Sequence, residues 1–110
     1  MLAKQYRLPW KIRFEKHGLF FSSYPFNARV RQNGLLYNRF AVLVTKRIDK
    51  RAAARNRVRR LIYTAIAELS EKMKKGLDFR FIIKKTAVGR SKKDCFLAIE
   101  SLLKKEGFLK

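Results

Sequence analysis

Eight of the fifteen residues from Lys46 to Arg60 are lysine or arginine: Lys46, Arg47, Lys50, Arg51, Arg55, Arg57, Arg59 and Arg60. The chemistry open to such a run is anion binding. It leads directly into an amphipathic helical pattern, so Arg55, Arg57, Arg59 and Arg60 fall in or near a first turn and a half. The partial positive charge of a helix N-terminus disfavours cations there, and Asp or Glu would be the ordinary choice. No acidic residue stands four positions away to compensate. A phosphate backbone is the natural partner for cations held this way. Arginine suits the task because its fork donates to two phosphate oxygens at once and is weakly hydrated. Asn56 adds an amide for a phosphate, a 2′-hydroxyl or a base edge. At about 100° per residue, Arg57 and Arg60 point away from the apolar stripe, Arg59 lies on its flank, and Arg55 projects past the core edge.

Other reactive side chains are sparse. His17 is the only histidine and reads as a surface or capping residue; Cys95 is the only cysteine and reads as a small packing residue. One cysteine excludes an intramolecular disulfide and a multi-thiolate metal site. The carboxylates are Glu15, Asp49, Glu68, Glu71, Asp78, Asp94, Glu100 and Glu106. No two are spaced as a metal or acid–base pair, and Glu68 and Glu71 have Lys72, Lys74 and Lys75 for local ion pairs. The chain has no phosphate-cradling P-loop, no zinc-binding His-Glu-x-x-His and no nucleophile elbow. No catalytic residue and no metal ligand is therefore assigned. If the chain serves catalysis, it lends binding energy and electrostatics to chemistry carried elsewhere.

A second constellation lies upstream. Tyr6, Trp10, Phe14, Phe20, Phe21, Tyr24 and Phe26 are interleaved with Lys4, Arg7, Lys11, Arg13, Lys16, Arg29 and Arg31. Aromatic faces stack single-stranded bases while cations follow the backbone. The same rings could equally pack a short helix on a sheet. Residues alone leave both readings open.

The elements that must position these groups fit one domain of 110 residues with one modest core. Residues 1–7 read as a flexible basic lead-in. Residues 8–17 suggest a short helix, with Pro9 in its first turn and Gly18 past its end. Residues 19–31 read as extended, interrupted near Pro25, with Phe26, Ala28 and Val30 alternating with Asn27, Arg29 and Arg31. The Gln32-Asn33-Gly34 turn signal then suggests an antiparallel hairpin with the apolar strand 39–45. A long helix is expected from about Ala53 to Lys75, ending at Gly76. A strand follows at 78–85 with Phe79, Phe81 and Ile83 on one face, then a last helix capped by Ser91 with Asp94. Helices on one side of a small sheet make an α+β two-layer sandwich.

Charge sets further bounds. There are 28 Lys+Arg against 8 Asp+Glu, a net charge of +20. Residues 1–67 hold 16 basic and only 2 acidic side chains. Self-repulsion of this size predicts a salt-sensitive free protein that needs an anion to fold fully. The chain is 47% hydrophobic, too much for a disordered basic tail. No apolar run reaches membrane-spanning length, and Lys4, Arg7, Lys11 and Arg13 break any signal-peptide core. A reducing cytoplasm fits the single cysteine, and no membrane role is expected.

The stretch from Thr45 to Ile62, with Thr45-Lys46-Arg47, the small residues Ala52-Ala53-Ala54, then Arg55-Asn56-Arg57-Val58-Arg59-Arg60, resembles the signature of the bacterial ribonuclease P protein subunit. Lys16-His17-Gly18 followed by Phe26 is similar to the family's helix–Gly–strand entry. The resemblance covers roughly residues 8–105. It implies the order α-β-β-β-α-β-α with a left-handed β-α-β crossover, a fold shared with a ribosomal-protein domain. It further implies a non-catalytic subunit of an endoribonuclease holoenzyme that removes the 5′ leader of precursor tRNA. Hydrolysis would belong to the RNA subunit and its Mg²⁺ ions, with no metal held tightly by the protein and no obligate protein partner. Arg55, Asn56, Arg57, Arg59 and Arg60 would dock on that RNA, with Lys46, Arg47, Lys50 and Arg51 extending the surface. Trp10, Phe14, Phe26 and Arg29 would approach the leader in a cleft between the first helix and the sheet. The loop between Lys46 and Arg55 is one residue longer than the usual pattern. Arg29 stands where an aromatic or apolar side chain is usual, which would make leader contacts more ionic. A ribosomal or general structured-RNA-binding protein of similar fold is the alternative.

Overall fold

The computed structural model describes residues 4–9, 18–23 and 25–110. Four strands, β1 (Leu19–Ser22), β2 (Phe26–Gln32), β3 (Arg39–Leu43) and β4 (Leu77–Ile83), form one sheet in the order β1-β2-β4-β3. Two helices, α1 (Ala52–Leu69) and α2 (Lys92–Lys105), cover one face. Among the described residues the order is β-β-β-α-β-α. The short helix expected over 8–17 falls, for residues 10–17, outside the described residues. Leu8, at its start, is buried, and its amide donates to Phe40 O at 2.7 Å.

Period two sorts each strand into a core side and an open side. Phe26, Ala28 and Val30 of β2, Phe40 and Val42 of β3, and Phe79, Phe81 and Ile83 of β4 are buried. Against them α1 sets Val58, Ile62, Ala65, Ile66 and Leu69, and α2 sets Cys95, Ile99, Leu102 and Leu103. Phe79 is central: its ring stacks on Phe40 at 5.4 Å and meets Phe108 edge-on at 5.5 Å.

The expected hairpin between the segments 19–31 and 39–45 does not form. β4 lies between β2 and β3, antiparallel to the first and parallel to the second. β4 carries the most apolar face, so a central place buries it best. The loop over 33–38 carries the chain past the start of β4 and is stitched there. Asn33 N donates to Gly76 O at 3.0 Å, and Asn38 Oδ1 accepts from Leu77 N at 2.8 Å. The hairpin among the described residues is β1–β2, turned at Ser23 and Pro25. β3 and β4 are adjacent, parallel and joined through α1, which is the β-α-β crossover that the family resemblance implies.

Two further expectations are corrected. The long helix ends at Leu69 rather than Lys75; a 3-10 turn follows at Ser70–Lys72. The chain's own C-terminus draws residues 72–74 out of the helix: Lys74 N donates to Phe108 O at 2.8 Å and Lys110 N to Lys72 O at 2.7 Å. Met73, fully buried, pairs with Leu109 in that extended stretch. Gly76, at φ +84°, turns the chain into β4, a conformation that L side chains resist. The basic lead-in is docked rather than loose from residue 4 on: Arg7 bridges to Phe40, and the Tyr6 ring meets Tyr37 at 5.5 Å. The last helix starts as its sequence indicates, with Ser91 Oγ accepting from Asp94 N.

Candidate nucleic-acid interface

β3 and β4 are parallel, so the chain leaves both at one end of the sheet. The basic loop and the start of α1 emerge there. Lys46, Arg47, Lys50 and Arg51 are exposed along the loop. Asp49 is the only acidic residue in it. Its carboxylate takes Arg51 bidentately, Nε at 3.1 Å and Nη2 at 2.8 Å, and also accepts Arg51 N at 2.9 Å. These hydrogen bonds from Arg51 hold the Asp49 pKa down at about 2. Arg51 is thus partly neutralised, although its side chain stays 75% exposed.

Arg55 takes a different part from the one its position suggested. It is half-buried, and its Nη1 donates to Asp49 O at 3.0 Å and Lys50 O at 2.9 Å. The guanidinium folds back and fastens the loop. Arg57 and Arg60 are exposed as the helical wheel predicts, and Arg59 is half-buried on the flank, donating to Asn56 Oδ1 at 2.7 Å. Among the described residues, no carboxylate lies within ion-pair distance of Arg55, Arg57, Arg59 or Arg60. The first turn of α1 holds no acidic side chain, and Arg51 at its N-cap provides no side-chain cap. Ala53, Asn56, Arg59, Arg60 and Tyr63 line a shallow concavity of about 450 Å³ on the same helix.

The sheet's open face is a second cationic surface. Its rows follow from the register: Phe20, Arg29, Arg80 and Ala41 lie side by side across the four strands. Arg31, Asp78 and Arg39 form the next row. Arg29 sits over the Phe20 ring, 5.0 Å from its centroid, and Phe20 is half-exposed. Burial, then the charges of Arg29 and Arg31, press the Arg80 pKa below its ordinary value. Asp78 is fully buried and is the row's organiser. Arg39 donates to it through Nε and Nη2, both at 2.9 Å, Arg31 through Nε at 3.0 Å, and Asn33 through Nδ2 at 3.0 Å. Burial alone would raise its pKa; the bonds from Arg39, Asn33 and Arg31 outweigh that and hold it below the usual carboxylate range. In the row of Ser22, Asn27, Ile82 and Leu43, the buried Asn27 Oδ1 has no hydrogen-bond partner among the described residues.

The residues expected near a leader separate here. Arg29 is on the open face. Phe26 is not: it is fully buried on the core side, edge-on to Phe81 at 5.3 Å, because residues an odd number of positions apart in a strand face opposite ways. Trp10 and Phe14 lie outside the described residues. Phe20 and Arg31 belong to the upstream constellation of rings and cations but were not assigned to the leader; Arg39, Arg80 and Asp78 were missed. Alternation placed Arg29 and Arg31 together, but only the register sets Arg80 and Asp78 beside them. Among the described residues, no three His, Cys, Asp or Glu side chains are grouped to hold a metal. No helix among them is long and apolar enough to cross a membrane.

Known proteins resemble this chain closely. The sequence profile of the family described as Ribonuclease P matches residues 2–107. A ribonuclease P protein component of Clostridium botulinum is 44% identical over 71 residues, which are 64% of this chain and 63% of that protein. One from Clostridium kluyveri is 33% identical over 96% of this chain and 97% of its own length. The chain matches less than two thirds of the length of the first curated relatives. The structure of a Staphylococcus aureus RNase P protein mutant superposes with a TM-score of 0.86 at 20% identity, covering 96% of this chain and 92% of that one, and so shares the fold.

Proposed function

This chain belongs to the ribonuclease P protein family, and from that premise we propose that it is the non-catalytic protein subunit of a ribonucleoprotein that matures the 5′ end of precursor tRNA in the cytoplasm. Its principal partner is the catalytic RNA subunit, which holds the Mg²⁺ ions and performs the hydrolysis. The carrying observation is the cation-rich start of α1, where no carboxylate among the described residues lies within ion-pair distance of Arg57, Arg59 or Arg60. Such a surface destabilises the free protein and is relieved by phosphates. Arg57, Asn56, Arg59 and Arg60 contact the RNA subunit directly. Lys46, Arg47, Lys50 and Arg51 continue the surface, and Arg55 sets the shape of their loop.

The open sheet face receives the single-stranded leader. Phe20 offers a stacking surface, and Arg29, Arg31 and Arg80 supply charge for the backbone. Trp10 and Phe14 remain candidates for the opposite wall. The test is reconstitution with the transcribed RNA subunit. The protein should bind that RNA in preference to an unrelated structured RNA. The complex should cleave precursor tRNA at the 5′ end and hold it more tightly than mature tRNA. Equal affinity for precursor and mature tRNA would remove the leader assignment and favour a general RNA-binding protein.

A further inference from the structure

At the opposite end of α1 from the basic loop lies a cavity of about 430 Å³. The 18 residues of the helix separate the two by roughly 27 Å. Small-molecule sites span roughly 300–1,000 Å³, so the size is suitable. The loop over 33–38 forms one wall, the 3-10 turn at Lys4–Tyr6 a second, and the end of α1 with the turn after it a third. Phe40, a core-side residue of β3, lines it as well, so the cavity is not on the open sheet face. The loop wall is fixed in place. Buried Asn38 donates from Nδ2 to Lys74 O at 2.7 Å and accepts from Leu77 N at 2.8 Å.

Three kinds of surface meet there. Tyr6 and Tyr37 are half-buried, with their rings edge-on at 5.5 Å, and Leu36 is 93% exposed at the rim. Edge-on packing leaves most of the ring faces uncommitted. Glu71 is exposed and, among the described residues, has no ion pair. The sequence offers it Lys72, Lys74 and Lys75. Lys75, which lines the same cavity, instead donates from Nζ to Ser70 O at 3.1 Å. Its ammonium has further protons to give to another acceptor.

These groups select among planar ligands. A carboxylate only accepts hydrogen bonds. Guanine presents two donors side by side, N1–H and the 2-amino group, which match the two oxygens. Adenine and cytosine put a ring-nitrogen acceptor at the corresponding place, where it would face an anion. Uracil offers one donor between two carbonyls. The tyrosine rings supply a stacking surface for a base. An organic cation is the competing occupant. Lys75 within the cavity and the net charge of +20 oppose it, and favour a ligand that brings phosphate.

We propose that this cavity is a guanine-nucleotide site. The base lies against Tyr6 and Tyr37, Glu71 accepts from N1–H and the 2-amino group, and Lys75 meets the phosphate. A free nucleotide and an unpaired guanosine of an RNA strand share this chemistry.

Equilibrium dialysis of the full chain with GMP, IMP and AMP tests it. A protein of this charge attracts any phosphate, so the ratio between nucleotides is the readout. GMP should bind roughly tenfold or more better than AMP, as expected for hydrogen bonds to a charged group. IMP, which lacks the 2-amino group, should fall between them. Glu71→Gln should bring the GMP-to-AMP ratio to one or below. Glu100→Gln, the same charge change on α2, should leave it as it was. A short uridine strand with one central guanosine, set against its adenosine counterpart, decides the source. Tighter, Glu71-dependent binding of that strand than of GMP assigns the site to RNA; equal affinity assigns it to the free nucleotide. Equal binding of GMP and AMP, or a ratio that survives Glu71→Gln, would overturn the proposal. So would Glu71-dependent binding of agmatine, a guanidinium probe, in preference to GMP. None of these measurements involves the RNA subunit, so their failure leaves the ribonuclease P reading untouched.

Discussion

Arg29 of β2 and Arg80 of β4 stand directly opposite each other across an antiparallel pair. Like charges in that position are destabilising by roughly 0.2–1 kcal/mol. Arg31, one position on along the same face, adds to the repulsion felt by Arg80. Replacing Arg29 with Thr should therefore raise the melting temperature of the free protein slightly while lowering affinity for a precursor with a leader. Sulfate should stabilise the unaltered protein by mass action, and stabilise the variant less. A variant that melts lower, or binds precursor tRNA as before, would contradict the assignment of this face.

Arg55 and Arg57, two residues apart, should fail in different ways. Arg57→Ala removes a phosphate contact, so RNA-subunit affinity should fall by roughly 1–3 kcal/mol with a flatter salt dependence. Arg55→Ala releases the carbonyls of Asp49 and Lys50 and loosens the loop. It should reduce affinity with little change in salt slope, and lower stability by about 1 kcal/mol. Identical slopes for the two variants would return Arg55 to the role of a direct contact. Binding titrations at four or five salt concentrations suffice to separate them.

Asp78 couples stability to pH. Its pKa is depressed in the folded protein. The stability it contributes is present above the unfolded carboxylate range, near pH 4, and is lost as pH falls through the folded value. Asp78→Asn keeps the size but leaves Arg31 and Arg39 facing a neutral amide. Their side chains are 29% and 19% exposed, so water recovers part of the loss. Denaturant unfolding at pH 7 should show a cost of roughly 2–3 kcal/mol. The acid side of the stability profile should be flatter than in the unaltered protein. An unchanged profile would mean that Asp78 is not the acid-sensitive group.

Phe26 and Phe20 separate core from surface. Phe26→Ala opens a cavity and should cost about 3–5 kcal/mol of stability. Phe20→Ala should leave stability within about 1 kcal/mol, since the ring is half-exposed. Leader discrimination should follow Phe20: the ratio of precursor to mature tRNA affinity should fall by roughly 1–3 kcal/mol, the range for one stacked base. Thermal melts and tRNA binding on the same two variants decide it.

Local properties of the chain determined a good deal. The cation run from Lys46 to Arg60, the stripe of Val58, Ile62, Ala65, Ile66 and Leu69, the Ser91 cap and the alternation of β4 all depend on neighbours within a few residues. Hence the exposure of Arg57 and Arg60 followed from helical period alone. Sheet order did not, because pairing is non-local. Nothing near Arg39 or Phe26 in sequence says that β4 will come between their strands. That one insertion set Arg80 against Arg29, buried Asp78 between Arg31 and Arg39, and left the 33–38 loop to be stitched by Asn33 and Asn38. The long helix stopped short for the same kind of reason, since the residues that draw Met73 away lie at the far end of the chain. The fold of Arg55 back onto the loop likewise needed three dimensions. Periodicity fixes which side of an element a residue occupies; only packing decides what it meets there.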